Sequence, residues 1–543
     1  MNWRVFFMLL IEANNVKKMY AERVIFEASR LEIHSGDRIG LVGRNGSGKT
    51  TLIKVLNGEL LPDTGIVRCL CSKASILQLE DPDSTQIDPL VGSFYKARKF
   101  QATMSEGEKE RLKIAEALSK KPELLFADEP TSNLDLEGIN RFTTDLVNFA
   151  GAFLIISHDR HLLDTVCSKI WELENGKITE YRGNYSDYKK QKADQLRKQE
   201  AAYENYLTKK KQLTDALMEK KRQATKSIKP PKNLNRSEAR LGKDFYGGKQ
   251  KKLARVGKAL ETRIDKLEKV DKPYIAPDVK IPLALENRLY SKVIVSAENL
   301  TVAFGEQVLL QNASFEILNG HKVAITGANG AGKTTLLKLI LNRESPLKVV
   351  AKAKFGYFSQ KLDILNPQTT ILENVLATAI HTETIVRSVL ARLLFKNDYV
   401  YKRINVLSGG EQVKVALAKV LLSDINVLVL DEPTNYLDIE SMEALEELLK
   451  NFEGTVIFVS HDQYFLEKIA TQKLEITEKS IHVAKVKTPV NERQTISSKP
   501  DKKLLLQTRL SEIIGKLSFA QSEEERLTWD REYIEILAQL KEL

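Results

Sequence analysis

The chain of 543 residues contains two copies of one ordered set of motifs. GRNGSGKTT at residues 43–51 returns as GANGAGKTT at residues 327–335. FADEPTSNLD at 126–135 returns as VLDEPTNYLD at 429–438, and the SHDR string of the first copy returns as SHDQ in the second. Because the motifs recur in the same order, the sequence predicts a duplicated domain.

Each copy has the pattern of an α/β domain. The strands RIGLV and KVAIT precede the glycine loops, and ELLFADE and NVLVLDE are short apolar runs. Such runs are typical of strands buried on both faces of a largely parallel sheet. The second copy has about twenty extra residues between Gln360 and Ser408. We therefore expect a trimmed helical insert in the first copy.

Both glycine loops fit the phosphate-binding pattern GxxxxGK[ST]. In such a loop, backbone N–H groups surround phosphates at a helix N-terminus. The lysine neutralises the β- and γ-phosphates, and the following threonine offers a hydroxyl to Mg²⁺. The residues predicted to bind ATP are Gly43, Asn45, Gly46, Gly48, Lys49, Thr50 and Thr51 in the first copy and Gly327, Asn329, Gly330, Gly332, Lys333, Thr334 and Thr335 in the second.

An Asp-Glu pair ends one buried strand in each copy and predicts phosphate chemistry. Asp128 and Asp431 are expected beside the Mg²⁺ position, where Thr50 and Thr334 would also coordinate the ion. The adjacent glutamate can polarise an attacking water. A histidine follows the next strand in each copy; alone it would more often be structural, so its role depends on the whole constellation. The residues predicted to act in catalysis are Glu129, Glu432, His158 and His461.

Positive charge is concentrated in the middle of the chain. The formal net charge is +11, and residues 186–285 contain 27 of the 83 Lys and Arg residues, while the remainder is slightly acidic. This asymmetry favours a nucleic-acid partner, although a solvated helical surface or an inert spacer is the alternative.

The same basic segment has the pattern of an antiparallel helical hairpin. Apolar residues recur at helical spacing near both ends, and a first helix of about 35 residues would extend roughly 50 Å. Pro230, Pro231, Gly242, Gly247 and Gly248 predict an irregular tip between the helices. Candidate contacts to RNA phosphates and bases are Lys232, Arg236, Arg240, Lys243, Phe245 and Tyr246.

Nothing in the sequence predicts a membrane or secreted protein. No apolar run approaches the ~20 residues of a membrane helix, and no cleavage site follows the apolar N-terminus. The three cysteines form neither a zinc pattern nor a disulfide framework. We expect a soluble cytoplasmic protein in which residues 1–7 have no functional weight.

Together these motifs resemble the ATP-binding cassette superfamily across residues 9–182 and 295–480. LSGGEQ at residues 407–412 is similar to the superfamily's signature, which covers the nucleotide held by the opposite cassette. The resemblance implies two composite sites, completed by Ser408, Gly409, Gly410 and Gln412 for the first nucleotide and by Ser105 and Gly107 for the second. It also implies that Gln78 and Gln360 lie near Mg²⁺ and that Tyr20 and Phe304 stack on adenine.

The first signature reads MSEGEK and departs from the pattern, with Glu106 in place of a glycine and Glu108 where glutamine is frequent. A carboxylate near a γ-phosphate is unfavourable unless it points outward. We therefore hypothesise that the site completed by MSEGEK hydrolyses more slowly or mainly holds the dimer closed.

Tandem cassettes, a basic helical linker and no membrane segment resemble the ABC-F family. Within that family, the Vga-like antibiotic-resistance proteins are resembled by the strings RIGLVGRNGSGKTTL, ITEYRGNYSDY, PPKNL, GKQKKL and VLSGGEQVKVAL. The predicted parts are a first cassette (8–185), a linker (186–285), a second cassette (292–484) and a C-terminal extension (485–543). The resemblance implies a monomeric ATPase that binds the ribosome beside the tRNA and whose linker tip displaces lincosamides, streptogramin A compounds and pleuromutilins. The alternatives are a housekeeping ABC-F translation factor and the ATPase subunit of an exporter. The extension would contact ribosomal RNA or form a packing hairpin.

Overall fold

The computed structural model describes residues 8–77, 87–95, 101, 104–226, 236–272, 289–304, 307–359, 362–395, 397–435 and 437–485. The predicted C-terminal extension therefore lies outside the described residues, except for Lys485. Gln78, Lys232 and Gln360 also lie outside them.

The first cassette is built on a nine-stranded sheet with helices on both faces. Its strand order is β4-β1-β2-β9-β8-β3-β7-β6-β5. Strands β5, β6, β7, β3 and β8 are parallel, and β1 pairs antiparallel with β2 and β4. The elements are β1 (Leu9–Tyr20), β2 (Arg23–His34), β3 (Arg38–Val42), α1 (Lys49–Leu56), β4 (Thr64–Cys69), β5 (Lys73–Ile76), α2 (Pro89–Phe94), α3 (Glu106–Ser119), β6 (Leu124–Asp128), α4 (Leu136–Val147), β7 (Ala152–Ile156), α5 (Arg160–Val166), β8 (Lys169–Glu174) and β9 (Lys177–Arg182).

The second cassette, which follows the two linker helices α6 (Tyr185–Lys226) and α7 (Arg236–Asp265), repeats this plan in two sheets. The six-stranded sheet has the order β14-β15-β16-β12-β17-β18, and the three-stranded sheet has the order β11-β10-β13. The elements are β10 (Val293–Phe304), β11 (Gln307–Leu318), β12 (Lys322–Gly327), α8 (Lys333–Asn342), β13 (Lys348–Val349), β14 (Phe355–Phe358), α9 (Ile371–Leu376), α10 (Glu383–Arg392), the 3₁₀ helices Asn397–Tyr401 and Ile404–Val406, α11 (Gly409–Leu421), β15 (Val427–Asp431), α12 (Ile439–Asn451), β16 (Thr455–Val459), α13 (Gln463–Ile469), β17 (Gln472–Thr477) and β18 (Ser480–Lys485).

The central strands are apolar throughout because both of their faces are covered. In β6, Leu124 and Phe126 pack into the core that contains α1, whereas Leu125 and Ala127 pack into the core that contains α3 and α4. All five residues of β15 are likewise buried. Since the carboxyl ends of parallel strands meet at one edge of a sheet, the residues that follow β3, β6 and β7 come together there. The predicted α/β fold is confirmed.

The longer insert of the second copy forms additional helices. Residues 362–395 and 397–406 include α9, α10 and the two 3₁₀ helices before the LSGGEQ loop. In the described part of the first copy, α2 alone lies between β5 and α3. The trimming predicted from the spacing therefore removes helices rather than strands.

Helices α6 and α7 form the linker. They pack along one another, with Lys221 Nζ 2.7 Å from Glu261 Oε1. Nine residues join them and can span at most about 33 Å, so the helices run antiparallel. At 1.5 Å per residue, the 42 residues of α6 extend about 63 Å, which is longer than predicted. None of the helices described is both long and apolar enough to span a membrane.

The predicted irregular tip is partly wrong. Helix α7 begins at Arg236 and continues through Gly242, Gly247 and Gly248. A glycine costs only about 1 kcal/mol relative to alanine in a helix, and the 30-residue helix is also supported by packing against α6. The backbone of Arg236, Arg240, Lys243, Phe245 and Tyr246 is therefore helical, and their side chains lie outside the described part of the structure.

Candidate nucleotide and catalytic sites

The two glycine loops have the same backbone conformation. Gly43, Gly46 and Gly48 have φ values of 155°, 73° and 104°, and Gly327, Gly330 and Gly332 have values of 153°, 77° and 93°. A Cβ at Gly43 would lie 2.5 Å from the carbonyl oxygen of Leu173, so only glycine fits there. Each loop turns directly into α1 or α8, so free N–H groups at the helix N-terminus face the loop.

The lysine of each glycine loop donates hydrogen bonds to backbone carbonyls of its own loop. Lys49 Nζ donates to the carbonyls of Gly43 (2.7 Å) and Arg44 (3.2 Å). Lys333 makes the equivalent bonds to Gly327 and Ala328 at 2.9 and 3.0 Å. Burial lowers the pKa of both lysines, and the nearby acidic residues oppose that effect. A buried ammonium that is held only by carbonyls is suited to an incoming polyanion.

A hydroxyl and a carboxylate meet beside each lysine. The Thr334 hydroxyl donates to Asp431 Oδ1 at 3.4 Å, and the Thr50 hydroxyl bonds to Asp128. Burial raises the pKa of both aspartates. Oxygen ligands of this kind fit Mg²⁺, which usually takes one or two protein oxygens together with phosphates and waters. Thr51 and Thr335 follow in the first turns of α1 and α8.

The catalytic candidates form two matching pairs. His158 Nε2 lies 3.2 Å from Glu129 Oε1, and His461 Nε2 lies 3.3 Å from Glu432 Oε1. Both glutamates have positive φ values, 51° and 49°, which cost a non-glycine residue energy and cluster at functional sites. His158 Nδ1 is buried with no hydrogen-bond partner among the described residues. Each cassette therefore brings together the predicted base and histidine.

Burial controls the protonation of these pairs. It raises the pKa of Glu129 to about 8 and that of Glu432 to about 7, although Lys49 and Lys333 oppose the shift. Burial and the same lysines lower the pKa of His158 to about 3 and that of His461 to about 4. Both histidines are consequently neutral at pH 7. Raised carboxyl pKa values near neutrality suit proton transfer.

The raised glutamate pKa values predict a pH-dependent effect on stability. Between pH 4.5 and 8 the folded state holds a proton on Glu129 that the unfolded chain has lost, so the free energy of unfolding falls as pH rises. We expect Glu129→Gln to raise the melting temperature of the nucleotide-free protein by at least about 3 °C at pH 8.5, with little change at pH 4.5. Differential scanning fluorimetry at both pH values measures this, with exposed Glu22→Gln as control. An equal shift at both pH values would contradict the explanation.

The first site is completed by the second cassette. The backbone N–H of Asn45 donates to Asp438 Oδ2 at 3.1 Å, and Arg44 pairs with Glu440 at 2.9 Å. A cavity of about 290 Å³ lies here, and its lining includes Asn45, Asp438, Ser408 and Gly410. The first glycine loop therefore faces the second signature, as the composite arrangement predicts.

The second site lies across the same interface. A cavity of about 560 Å³ is lined by Glu129 and His158 from the first cassette and, from the second, by Asn329, Gly330, Gly332, Lys333, Thr334, Thr335, Asp431, Glu432 and His461. A Cβ at Gly107 would lie 3.8 Å from the side-chain nitrogen of Asn329. The first signature therefore lies beside the second glycine loop.

The two signature loops begin their helices in the same way. Ser105 and Glu108 form a capping box at α3, and Ser408 and Glu411 form one at α11. Glu108 is therefore part of a cap rather than a departure with its own effect. The Gln412 amide donates to the carbonyls of Ile404 and Leu407 at 3.4 and 3.1 Å within its own cassette.

The Glu106 side chain points outward. It is 71% exposed and pairs with Lys109 at 3.0 Å. Gly409 occupies the matching position in the second copy, where a Cβ would meet nothing within 4 Å. The predicted repulsion of a γ-phosphate therefore has no structural basis, and the unequal rates of the two sites stay a prediction.

The tolerant and intolerant positions of the first signature can be separated by mutation. We expect Glu106→Gly to change ATP turnover less than about twofold, because the side chain is a surface group. Gly107→Ala is expected to lower turnover at least about tenfold, because its Cβ would lie 2.6 Å from the carbonyl oxygen of Asn133. Steady-state phosphate release measures both variants. A larger loss in Glu106→Gly than in Gly107→Ala would contradict this assignment.

Of the two aromatic candidates for adenine stacking, Tyr20 has a described side chain. Tyr20 is 53% exposed at the end of β1, and the Lys18 ammonium lies 5.9 Å from its ring centroid. Tyr20 is therefore not a core residue, and its ring is accessible for stacking. The side chain of Phe304 lies outside the described residues.

Two interface features were missed in the sequence. Asp438 ends the repeated string VLDEPTNYLD, so the repeat itself carried a signal for it. The buried side chain of Arg160, which lies between Glu446 and Asp462 of the second cassette, had no such signal, because Gln463 replaces it in the other copy.

The comparisons with family models match both cassettes and the linker. A model described as "ABC transporter" matches residues 26–88, 80–132 and 310–435. A second model with the same description matches residues 171–281. The matches cover the glycine loops and acidic strand ends of both copies.

Relatives are similar over most of the chain. "Ribosome protection protein VmlR" of Bacillus subtilis is 31% identical over 98% of this chain and 98% of its own length. "Erythromycin resistance ATP-binding protein MsrA" of Staphylococcus epidermidis is 32% identical over 87% of this chain and 98% of its own length. "ABC transporter F family member 5" of Arabidopsis thaliana is 30% identical over 86% of this chain and 75% of its own length.

A solved structure titled "RNase-L Inhibitor" supports the fold. It superposes with a TM-score of 0.58 at 20% identity and covers 85% of this chain and 87% of its own. The duplicated site geometry, the family models and the full-length relatives lead to one assignment. The chain belongs to the ABC-F family of ATP-binding cassette proteins and is an ATPase with two cassettes on one polypeptide.

Proposed function

We propose that this chain is a ribosome-binding ABC-F ATPase that confers antibiotic resistance by target protection. In its ATP-bound form it enters the ribosomal tRNA exit site, and the linker tip displaces lincosamides, streptogramin A compounds and pleuromutilins from the peptidyl-transferase centre. The observation that carries the proposal is the combination of interface-spanning nucleotide sites with a basic hairpin about 63 Å long. Two relatives are named for ribosome protection and erythromycin resistance.

The residues around each loop fit ATP with Mg²⁺. The buried lysines and the free N–H groups of α1 and α8 would hold the phosphates, while Thr50 with Asp128 and Thr334 with Asp431 would hold the metal ion. Bound Mg²⁺ would neutralise charge on the phosphate oxygens. Glu129 and Glu432 accept the proton of the attacking water, and His158 and His461 orient that carboxylate.

Nucleotide would act as the connector between the cassettes. The loop that holds ATP in the first cassette faces Ser408 and Gly410 of the second, so a bound anion is shared by both surfaces. Hydrolysis and phosphate release remove that shared ligand. The chain therefore has an ATP-dependent closed state as a monomer, without a stable membrane partner, and closure fixes the direction of the linker.

A housekeeping role in translation is the second candidate. The linker and composite sites would serve it equally well, and the relative from Arabidopsis carries only a family name. The two roles share ribosome binding and differ in whether drugs are displaced. An exporter subunit is less well supported because the hairpin carries a large excess of Lys and Arg, with twelve of them against two acidic residues in 222–260.

Expression in a susceptible bacterium separates the two candidates. We expect the minimum inhibitory concentration of at least one of the three drug classes to rise, and the Glu129→Gln/Glu432→Gln variant to give no rise. A panel that adds a macrolide covers the drug named for one relative. Unchanged inhibition by every drug, in cells whose ribosomes still bind the protein, would leave translation control.

A further inference from the structure

A polar cluster with a buried centre and a partly exposed edge connects the two cassettes at the base of the linker. We call it the linker-base cluster; its members are Arg160, Tyr185, Lys189, Glu443, Glu446 and Asp462. Arg160 is 1% exposed and Glu446 is fully buried, and their atoms Nη2 and Oε1 are 2.5 Å apart. Asp462 Oδ2 lies 3.4 Å from the same nitrogen. The cluster is therefore a charged contact that exists only when the cassettes are together.

Two members of the linker-base cluster follow the catalytic histidines closely along the chain. Arg160 begins α5 two residues after His158, and Asp462 directly follows His461 and caps α13. The Arg160 guanidinium also lies 4.3 Å from the ring centroid of Tyr464. A change in the distance between the two cassettes at either catalytic site must therefore disturb the contacts of Arg160 with Glu446 and Asp462.

The same helix of the second cassette contacts the linker. Glu443 is one turn before Glu446 on α12, and its carboxylate accepts from Lys189 Nζ at 2.7 Å and from Tyr185 Oη at 3.4 Å. Both donors belong to the first turns of α6. Among the described contacts, α12 therefore joins the second cassette to both α5 and the linker.

The base of α6 is otherwise fixed to the first cassette. Ser186 donates its backbone N–H to Asp164 Oδ1 at 2.7 Å, and Tyr188 Oη donates to Glu172 Oε1 at 2.7 Å. Because these contacts lie within the first cassette and the linker, they persist whether the two cassettes are together or apart. The contacts of Glu443 are the ones that cassette separation breaks.

Three charged residues of this cluster have uncharged counterparts in the other half of the pseudo-symmetric pair. At the offset of 303 residues that relates the two histidines, Arg160 corresponds to Gln463, Glu446 to Thr143 and Glu443 to Asn140. The side without the linker therefore carries uncharged groups in place of these three ions, while Asp462 corresponds to another aspartate, Asp159. A buried ion pair adds little net stability, and in some proteins it fixes one arrangement of the parts that it joins. Here the parts that it joins are the two cassettes, next to the base of the linker.

We propose that Glu443 is a positioning residue that couples cassette closure to the direction of the linker, with the buried Arg160–Glu446 pair as the pivot. Closure brings α12 against α5 and places the Glu443 carboxylate under Lys189 and Tyr185. Separation of the cassettes moves the Glu443 carboxylate away from Lys189 and Tyr185. The base of α6 then keeps only its contacts with the first cassette. The inference rests on the proposed function, because the linker is taken as the element that contacts the ribosome.

A charge swap tests the coupling. In the Glu129→Gln/Glu432→Gln background, Glu443→Lys is expected to weaken co-sedimentation with ribosomes about tenfold, and Lys189→Glu with Glu443→Lys to restore it to within about threefold. Glu443→Lys adds positive charge, which alone strengthens binding to RNA, so weaker binding has to come from lost positioning. Asn140→Lys places the same charge at the matching exposed position and is expected to bind like its parent.

Catalysis provides the second readout. In the hydrolysis-competent chain, Glu443→Lys is expected to keep basal ATP turnover within about twofold of the parent, because Glu443 touches neither loop nor histidine. A merely structural role would lower basal turnover and ribosome binding together, and the swap would not rescue them. Failure of the swap to restore binding, or unchanged binding of Glu443→Lys, would overturn the proposal.

A distance measurement without ribosomes separates this inference from the proposed function. Spin labels at Lys209→Cys on α6 and Thr301→Cys on β10, in a Cys69→Ser/Cys71→Ser background, report the angle between linker and second cassette. ATP is expected to narrow the distance distribution in the parent and the charge-swap chain, but not in Glu443→Lys. If the parent does not bind ribosomes while ATP still narrows its spin-label distance distribution, the proposed function fails and the coupling stands. If ATP narrows the distribution equally in Glu443→Lys, the coupling fails.

Discussion

Replacing Glu129 and Glu432 together with glutamine is expected to lower ATP turnover by about 10²- to 10⁴-fold and to leave the fold intact. Burial raises the pKa of both carboxyls to about 8 and about 7, so protonated and ionised forms are both present near neutral pH, and the ionised form accepts the proton of water. Glutamine matches the shape of the protonated form. It cannot accept a proton from water, so the chemical step loses its base.

The same substitution is expected to trap the closed state. Because the glycine loops, the Asp438 contact and both signatures are untouched, nucleotide still joins the cassettes and is no longer consumed. Phosphate release measures the loss of turnover, and sedimentation with ribosomes in ATP measures trapping. Exposed Glu22→Gln with Glu467→Gln is the matched control, and it should behave like the parent chain. Turnover within tenfold of the parent would show that neither glutamate is the base.

Single substitutions reveal whether the two sites contribute equally. In the predicted composite arrangement, Glu129 would serve the site of the first loop and LSGGEQ, and Glu432 would serve the site of the second loop and MSEGEK. Since Glu106 points outward and pairs with Lys109, its charge gives no reason for unequal chemistry. A large difference between Glu129→Gln and Glu432→Gln would then point to other differences between the copies, such as Lys109 in place of Gln412 or the trimmed insert of the first cassette.

The parts of the site that lie within one motif were predictable from the sequence. Gly43 to Thr51 and Asp128 to Glu129 are fixed by local strand, loop and helix geometry, and the sheet brings them together in each cassette. The pairing of each signature with the loop of the opposite cassette came from the resemblance to the ATP-binding cassette superfamily and not from the repeat. Local pattern and global fold agree at these positions.

Contacts between the cassettes were less predictable because they depend on how two domains meet. Arg160 is a polar residue at a helix start, and only the interface shows that it is buried against Glu446. Gln412 belongs to the signature, yet its amide bonds to its own loop. Glycines in α7 were interpreted as breaks, because sequence spacing does not include the stabilisation that packing against α6 provides.

Removing the outer part of the linker is expected to abolish ribosome binding and to spare the ATPase. Residues 222–260 contain twelve Lys and Arg residues and two acidic ones. Because Lys221 Nζ and Glu261 Oε1 are 2.7 Å apart, a short Gly-Ser-Ser-Gly loop can join the remaining helices. The base of α6, with Tyr185, Tyr188 and Lys189, stays in place, so basal turnover should remain within about threefold of the parent.

The shortened chain should lose ribosome binding for two reasons: it lacks the Lys and Arg contacts to RNA phosphates, and its hairpin extends less far from the cassettes. Ribosomal RNA attracts a basic hairpin by releasing counterions, so the shortened chain should lose at least about 100-fold in affinity at 0.15 M salt. A full-length variant with Lys251, Lys252, Arg255 and Lys258 changed to glutamine keeps the exposed helix and removes four charges. It should bind more weakly and with a shallower salt dependence, whereas the shortened chain should show little binding at any salt concentration. If the shortened chain binds ribosomes as tightly as the parent, the cassettes and not the hairpin carry the interaction, and the linker is a spacer.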